Sequence, residues 1–453
     1  MKITWNLART LAVLLAALRL AGGSVRADGE VRWHADQETL DVNLDGAPLI
    51  ETLGQIARQT GWHIYLEPTP GKTFTTHFKG RARGEAMRIL LGDLNYAFVP
   101  QTDGPTKLFV FRTTRDAATL EIQPTAAEPV LHATKYAPTQ LIVRLKPGAS
   151  IEALARKLGA KVKARIGDLN AYLLEFDDAA AMETARTELA GNPDVDSTDY
   201  NYFVDQPPSA QRLAGTSVGP VQLKLNAPPA DGRVVVGLID TALQSLGPEL
   251  QQFLLQQISV AGEAKPSSEP THGTSMAETI LRALQGTTAG QTRVQILPVD
   301  VYGPNPTTTT FDVANGIIRA VNGGATIINL SLGSYTDSTF LHNVITQVAG
   351  EQIPVFAAAG NDPVTTPFYP AAYPESIAVT AKASYANHGS FVDMVAPGTS
   401  VVYYNGQPWL ITGTSAASAY AAGLAAGVAD TRGVPTADAA STVKNTFPFK
   451  SSF

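Results

Sequence analysis

The chain contains no cysteine in 453 residues, which excludes disulfide staples, thiol nucleophiles and cysteine-based zinc sites. It does not exclude export. Charge of either sign is modest: 34 Lys and Arg against 40 Asp and Glu leave a net charge of -6. No block of like charges occurs, so no nucleic-acid partner is expected. Long apolar runs are missing except at the start. Residues 11–20 are apolar apart from Arg19, with Lys2 and Arg9 before them and the small-residue step Val25-Arg26-Ala27 after. Residues 1–27 therefore read as a secretory signal peptide. A short membrane anchor competes, although the run is below the ~20 residues a span requires. Export leaves the periplasm, the outer membrane and the medium as destinations.

What is present suffices for two to four domains with substantial cores. In residues 38–113, Leu40-Asp-Val-Asn-Leu44 alternates like a half-buried strand, and Pro48 opens a helix with Leu49, Ile50, Leu53, Ile56 and Ala57 on one face until Gly61. Residues 63–66 and 74–78 read as strands. A second helix would turn Ala86, Ile89, Leu90 and Leu94 inward, and strands at 96–99 and 108–111 would close the unit. The phrase Leu40-Asp-Val-Asn-Leu-Asp-Gly-Ala-Pro-Leu-Ile-Glu-Thr-Leu-Gly-Gln-Ile-Ala-Arg-Gln-Thr-Gly61 resembles the short N-terminal domain of secretins and TonB-dependent receptors. That resemblance implies a periplasmic interaction module with an envelope protein as partner. A generic small α+β domain is the competing reading.

Residues 114–134, with Pro124 and Pro129, read as a linker. Residues 135–204 follow a β-α-β-β-α-β pattern: strands at 140–145 and 171–176, a helix capped by Ser150, a helix at 179–189 broken by Gly191-Asn-Pro193, and an extended stretch at 195–204. Nothing in it looks catalytic. Such a domain suits a folding template and plug whose extended end lies in a cleft like a substrate strand. Residues 205–220 look exposed and flexible, a processing linker.

The chemistry is concentrated after residue 221. Residues 232–239 are almost all apolar and end at Asp240, as a buried parallel strand with a carboxylate at its C-terminal edge. Thr271-His-Gly-Thr-Ser275 starts a helix directly behind His272, with Met276, Ala277, Ile280 and Leu281 on its buried face. His342 and His388 lack such a setting. Gly413-Thr-Ser415 leads into a small-residue helix in which Gly423 and Gly427 suit close packing. Ser415 there has a backbone N–H free of intrahelical partners. Taken singly, each has an ordinary explanation as a turn aspartate, a helix-start histidine and an N-cap serine. Together they are what acyl transfer needs: a hydroxyl nucleophile, a base active near neutral pH and a carboxylate that fixes its tautomer. The order Asp240, His272, Ser415 is the one found in subtilisin. Two further buried strands end in Ser331-Leu-Gly333 and in Ala357-Ala-Ala-Gly-Asn361, the latter delivering a carboxamide.

At this point residues 221–453 resemble the subtilisin family (subtilases) of serine proteases. The carrying phrases are Val234-Val-Val-Gly-Leu-Ile-Asp-Thr241, His272-Gly-Thr274, Asn329-Leu-Ser-Leu-Gly333, Ala357-Ala-Ala-Gly-Asn361, Val395-Ala-Pro-Gly398 and Gly413-Thr-Ser-Ala-Ala-Ser418. Residues 135–204 resemble the family's inhibitory propeptides through Leu141-Ile-Val-Arg-Leu-Lys-Pro-Gly148 and Asn192-Pro-Asp-Val-Asp196. The resemblance implies an α/β fold, a mostly parallel sheet flanked by helices, preceded by two small α+β domains. It makes Ser415 the nucleophile, His272 the base, Asp240 its orienter, and Asn361 with the Ser415 N–H the oxyanion hole. Ser331, Leu332 and Gly333 would pair with substrate, Ala357, Ala358, Ala359 and Gly360 would line the adjoining pocket, and residues 302–310 would form its opposite wall. Polypeptide substrates and the chain's own propeptide are the implied partners. No cofactor is required. Calcium, common in the family, rests only on Glu249 standing where an Asp ligand is frequent. Ala242, Ser275 and Ala419 depart from the family pattern, and 453 − 415 = 38 residues follow the serine. These departures keep open an inactive scaffold used for binding, while esterase or ligase chemistry on the same site stays open because acyl transfer is shared.

Overall fold

The computed structural model describes residues 30–34, 37–67, 73–99, 106–122, 135–213, 225–226, 234–288, 290–383 and 385–450. The signal peptide expected at 1–27 lies outside them, as do 123–134 and 214–224. The chain divides into two units, residues 1–131 and 132–453.

In the first unit, strands Glu30–His34, Thr39–Pro48 and Thr73–Ala82 form one antiparallel sheet. A second sheet runs Asn95–Val99, Lys107–Phe111, His63–Leu66, Leu120–Ile122. Helices Leu49–Thr60 and Arg83–Leu91 complete the unit, and Leu40, Leu53, Ile56, Ile64, Leu90, Leu108 and Val110 share one core. Three expectations change. Strand Glu30–His34, ahead of residue 38, belongs to the same sheet, because Val31 and Trp33 pair with Val42 and Leu40. The expected linker 114–134 contributes Leu120–Ile122, which pairs antiparallel with Ile64–Leu66. Ile89 points outward, 41 % exposed, while Met87 and Leu91 take the buried face. Ala86, Leu90 and Leu94 are buried as expected, so of the four only Ile89 leaves the inward face.

In the second unit the smaller sheet runs Val195–Asp205, Tyr136–Leu145, Ala171–Glu175, Lys161–Ile166. Ser150 caps helix Ile151–Leu158 by accepting the Ala153 N–H, and helix Ala179–Leu189 follows Asp178. The Val195–Asp205 strand continues the sheet across the domain boundary by pairing with Thr307–Thr309. Asp199 and Asn201 on it meet the starts of helices Thr339–Gly350 and Thr310–Asn322. Asp199 accepts the Ser338 hydroxyl at 2.8 Å and the Phe340 N–H at 2.9 Å, and Asn201 accepts the Phe311 N–H at 3.1 Å. Helix starts carry unpaired N–H groups and positive partial charge, which these acceptors satisfy.

The larger sheet has seven parallel strands in the order Ile258–Ser259, Val294–Asp300, Val234–Asp240, Ile327–Leu330, Val355–Ala358, Ser376–Ala381, Met394–Ala396. Buried on both faces, these strands read as continuous apolar runs, which is why the sequence displays no alternation there. Helices His272–Thr287 and Thr414–Arg432 cover one face, and Thr310–Asn322 and Thr339–Gly350 the other. The central Val234–Asp240 strand has an earlier-formed neighbour on neither side: its flanks are the third and fourth strands in sequence. The chain order reverses there, and the crevice beyond the strand ends is where such sheets hold their sites. Residues 206–213, expected to be a flexible linker, are docked instead, with Gln211–Arg212 paired to the Gln407–Thr412 strand. Among the described residues no helix is long and apolar enough to cross a membrane.

Candidate active site

Asp240 ends the central strand, fully buried. His272 is the first residue of a helix whose N-cap, Thr271, accepts the Thr274 N–H at 3.2 Å. The imidazole Nδ1 lies 2.8 and 2.9 Å from the two Asp240 carboxylate oxygens. A carboxylate only accepts, so Nδ1 carries the hydrogen and Nε2 presents its lone pair. Gly273 makes this approach possible: a Cβ there would stand 2.2 Å from the Thr241 carbonyl oxygen. Its N–H donates to the Thr241 hydroxyl at 2.8 Å, and the Thr241 N–H donates to Asp240 at 2.7 Å. The Gly after the histidine and the Thr after the aspartate are thus one clamp.

Ser415 sits in the first turn of helix Thr414–Arg432. That helix is packed tightly against the His272 helix, because Cβ atoms at Gly423 and Gly427 would reach within 2.7 Å of the Ile280 carbonyl and 1.9 Å of the Thr287 hydroxyl. Glycine spacing therefore sets the distance between the helices carrying His272 and Ser415. The Ser415 hydroxyl donates to the Ser331 carbonyl at 3.1 Å, and the Ser331 hydroxyl donates to the Ser415 carbonyl at 3.0 Å. Asn329 locks this pair from below, donating to the Ser331 hydroxyl at 2.9 Å and accepting from Ser418 at 2.9 Å. The second Ser of Gly-Thr-Ser-Ala-Ala-Ser and the Asn of Asn-Leu-Ser are second-layer supports that sequence reasoning left without roles.

Gly360, at φ +100, turns the chain at the end of strand Val355–Ala358 and places Asn361 beside Gly413. The Asn361 side-chain oxygen accepts the Thr414 N–H at 2.8 Å, which directs its NH₂ group away from that N–H. Asn387 supports the turn: its N–H donates to the Gly360 carbonyl at 3.0 Å, its side-chain oxygen accepts the Asp362 N–H at 2.8 Å, and its NH₂ donates to the Tyr335 hydroxyl at 3.1 Å. Asn387 is fully buried and was missed because no motif surrounds it. Ser331 and Leu332 are buried immediately beyond strand Ile327–Leu330, and Gly333 is backed by Phe368 and the Tyr369 carbonyl. Leu330 pairs with Ala357 on the next strand. The two predicted pocket edges are therefore neighbours, with Ala357, Ala358, Ala359 and Gly360 on the second.

A family model described as the subtilase family matches residues 231–446, and one described as the fervidolysin N-terminal prodomain matches residues 122–201. The thermophilic serine proteinase of Bacillus sp. (strain AK1) is 30% identical over 311 residues, covering 64% of this chain and 78% of that protein. The chain belongs to the subtilase family. Thermitase of Thermoactinomyces vulgaris is likewise 30% identical, over 223 residues covering 47% of this subtilase and 80% of thermitase. Fervidolysin from Fervidobacterium pennivorans, a keratinolytic enzyme related to subtilisin, shares the fold at TM-score 0.51 and 16% identity, over 67% of this chain and 56% of its own. The epidermin leader peptide processing serine protease of Staphylococcus aureus does so at TM-score 0.52 and 16% identity, over 67% and 92%. This subtilase is thus a serine peptidase with an N-terminal prodomain.

The departures from the family pattern leave the Asp240–His272 pair intact. The Ser275 hydroxyl bonds back to the Thr271 carbonyl at 3.2 Å, and Ala242 and Ala419 are buried apolar packing. Glu249 lies on the exposed one-turn helix Pro248–Gln251, and among the described residues no group of three or more His, Asp or Glu side chains is disposed to hold a metal ion. The donor set a calcium ion wants is not assembled around Glu249. His342 contacts Glu375 and stacks on Tyr373, and His388 bonds to the Ala386 carbonyl, both apart from the triad.

Proposed function

We propose that this subtilase is an exported endopeptidase made as a self-processing zymogen, cutting peptide bonds through an acyl-enzyme on Ser415. The observation that carries the reading is the His272 imidazole held on both Asp240 oxygens at 2.8 and 2.9 Å, on a helix locked by glycines to the one bearing Ser415. His272 Nε2 takes the Ser415 proton as the hydroxyl attacks the substrate carbonyl, and returns it to the leaving amine. The Asn361 NH₂ group and the Ser415 N–H receive the developing oxyanion. Water then enters by the same route and releases the acid. The small side chains of Ala357 to Gly360 favour bulky apolar residues before the cut. The signal-peptide pattern of residues 1–27 supports export to the periplasm, outer membrane or medium. The secretin-like phrase of residues 40–61 supports an envelope protein as partner of the first unit. Processing falls between residues 205 and 221.

The test is intact mass of the chain lacking residues 1–27, wild type beside Ser415→Ala, each with and without a fluorophosphonate. A processed, singly labelled wild type beside an uncut, unlabelled variant supports the proposal. Two full-length, unlabelled proteins would return the inactive scaffold to first place.

A further inference from the structure

The pocket before the scissile bond lies between two backbone edges, Ser331 to Gly333 and Ala357 to Gly360, which the paired strands Ile327–Leu330 and Val355–Ala358 hold side by side. Both edges end in glycine, and both glycines meet the same side chain. A Cβ on Gly333 would collide with Cε1 of the Phe368 ring and stand 2.5 Å from the Tyr369 carbonyl oxygen. One on Gly360 would stand 3.1 Å from Cγ of that ring. Cγ and Cε1 belong to a single rigid group, so the Phe368 side chain bridges the gap between the two edges. The glycines there make room for this phenyl ring.

The ring is held where it is. Its backbone is tied to the first edge: the Tyr369 N–H donates to the Ser334 carbonyl at 2.7 Å, and the Ser334 N–H to the Tyr369 carbonyl at 2.8 Å. The Ala372 N–H donates to the Phe368 carbonyl at 2.8 Å. Tyr335 packs edge-on against the phenyl group, with ring centroids 5.0 Å apart and planes at 75°, an arrangement aromatic pairs favour. The Tyr335 hydroxyl donates to the Asp362 carboxylate at 2.6 Å and accepts from the Asn387 NH₂ group at 3.1 Å. Tyr335 is thereby fastened to the turn that carries Asn361, and swinging Phe368 out of the gap would give up the Tyr335 contact.

We infer that Phe368 closes the pocket to large side chains, so that this subtilase cuts after glycine, alanine or serine. The inference rests on the peptidase reading above and reverses the preference that the small Ala357–Gly360 edge gives by itself, because the room that edge leaves is occupied by the chain's own phenyl group. A leucine or phenylalanine before the cut has to share the gap with that ring, and overfilling a packed site is unfavourable. A methyl or hydroxymethyl group displaces nothing. The exclusion is steric, so it applies to long charged side chains as it does to apolar ones.

The test compares wild type with Phe368→Gly and Phe368→Ala, each as the chain lacking residues 1–27 with its active sites counted by a fluorophosphonate. The substrates are tetrapeptide p-nitroanilides that differ only in carrying Ala, Leu or Phe before the amide. Wild type is expected to show kcat/KM at least ~10-fold higher after Ala than after Leu or Phe, and the variants to reverse that order, since one methylene in an apolar pocket is worth about 10–200-fold in discrimination. A wild type that takes the label but cuts no faster after Ala than after Leu or Phe overturns the inference. So does a labelled variant that keeps the wild-type ratio. If neither variant takes the label, the wild-type order decides alone. If wild type takes no label and cuts none of the three, the peptidase reading itself fails and the inference falls with it.

Discussion

The Asn361 side-chain oxygen accepts the Thr414 N–H at 2.8 Å. One atom of the carboxamide is thus spent on building the start of the nucleophile's helix, and the other, Nδ2, is left to act. Structure and catalysis can be separated at this residue. Asn361→Asp keeps an acceptor for Thr414 but replaces the donor with a negative oxygen. It is expected to retain the melting temperature within a few degrees while kcat falls by at least the ~10²–10³ lost on removing an oxyanion-hole donor, a magnitude that is subtilisin's own. A comparable loss in KM rather than kcat would contradict the assignment.

Gly273 predicts a coupled loss. A methyl group at 2.2 Å from the Thr241 carbonyl cannot be accommodated without moving Asp240 or the His272 helix. Gly273→Ala should cost about 1–3 kcal/mol of stability, as overpacking does. Because the displacement falls on the Asp240–His272 contact, kcat should fall more than the thermal unfolding curve alone explains, which steady-state kinetics well below the melting temperature would reveal.

Asn387 predicts a milder version. Replacing it by Ala leaves the Asp362 N–H without its acceptor and removes the amide donor to the Tyr335 hydroxyl, at about 1–3 kcal/mol for a buried group left unpaired. The Gly360–Asn361 turn loosens, so kcat should drop roughly 10-fold, since each 1.4 kcal/mol of transition-state stabilisation is one decade. An unchanged kcat in a protein destabilised by that amount would show that Asn361 is held by Thr414 alone.

Asp199 predicts a pH dependence of prodomain docking. Burial raises its pKa, against the lowering hydrogen bonds from Phe340 and Ser338. The docked state therefore binds more protons than the free one, whose value is near 3.9. Docking is strongest below that value, weakens as pH climbs through the raised pKa, and is level above. Inhibition of the processed enzyme by its released prodomain, titrated from about pH 4 to 7, should weaken with pH, and Asp199→Asn should flatten the slope. A slope of the opposite sign in wild type would contradict the burial argument.

The sequence by itself determined the parallel sheet and singled out Asp240, His272, Ser415 and Asn361 as candidates, because each is written locally: an apolar run ending in Asp240, a glycine behind His272, a small-residue helix behind Ser415. Those patterns are steric requirements of close approach, so they survive without knowledge of the partner. Tertiary structure alone decided what depends on distant pairing. Leu120–Ile122 became a strand only because Ile64–Leu66 offers it an edge. Asn387 gained its role from the turn at Gly360 to Asp362, distant in sequence. Residues 206–213 had the composition of a loose linker, and are docked at both ends because two strand edges, at Pro306–Thr309 and Pro408–Leu410, leave backbone groups that they satisfy.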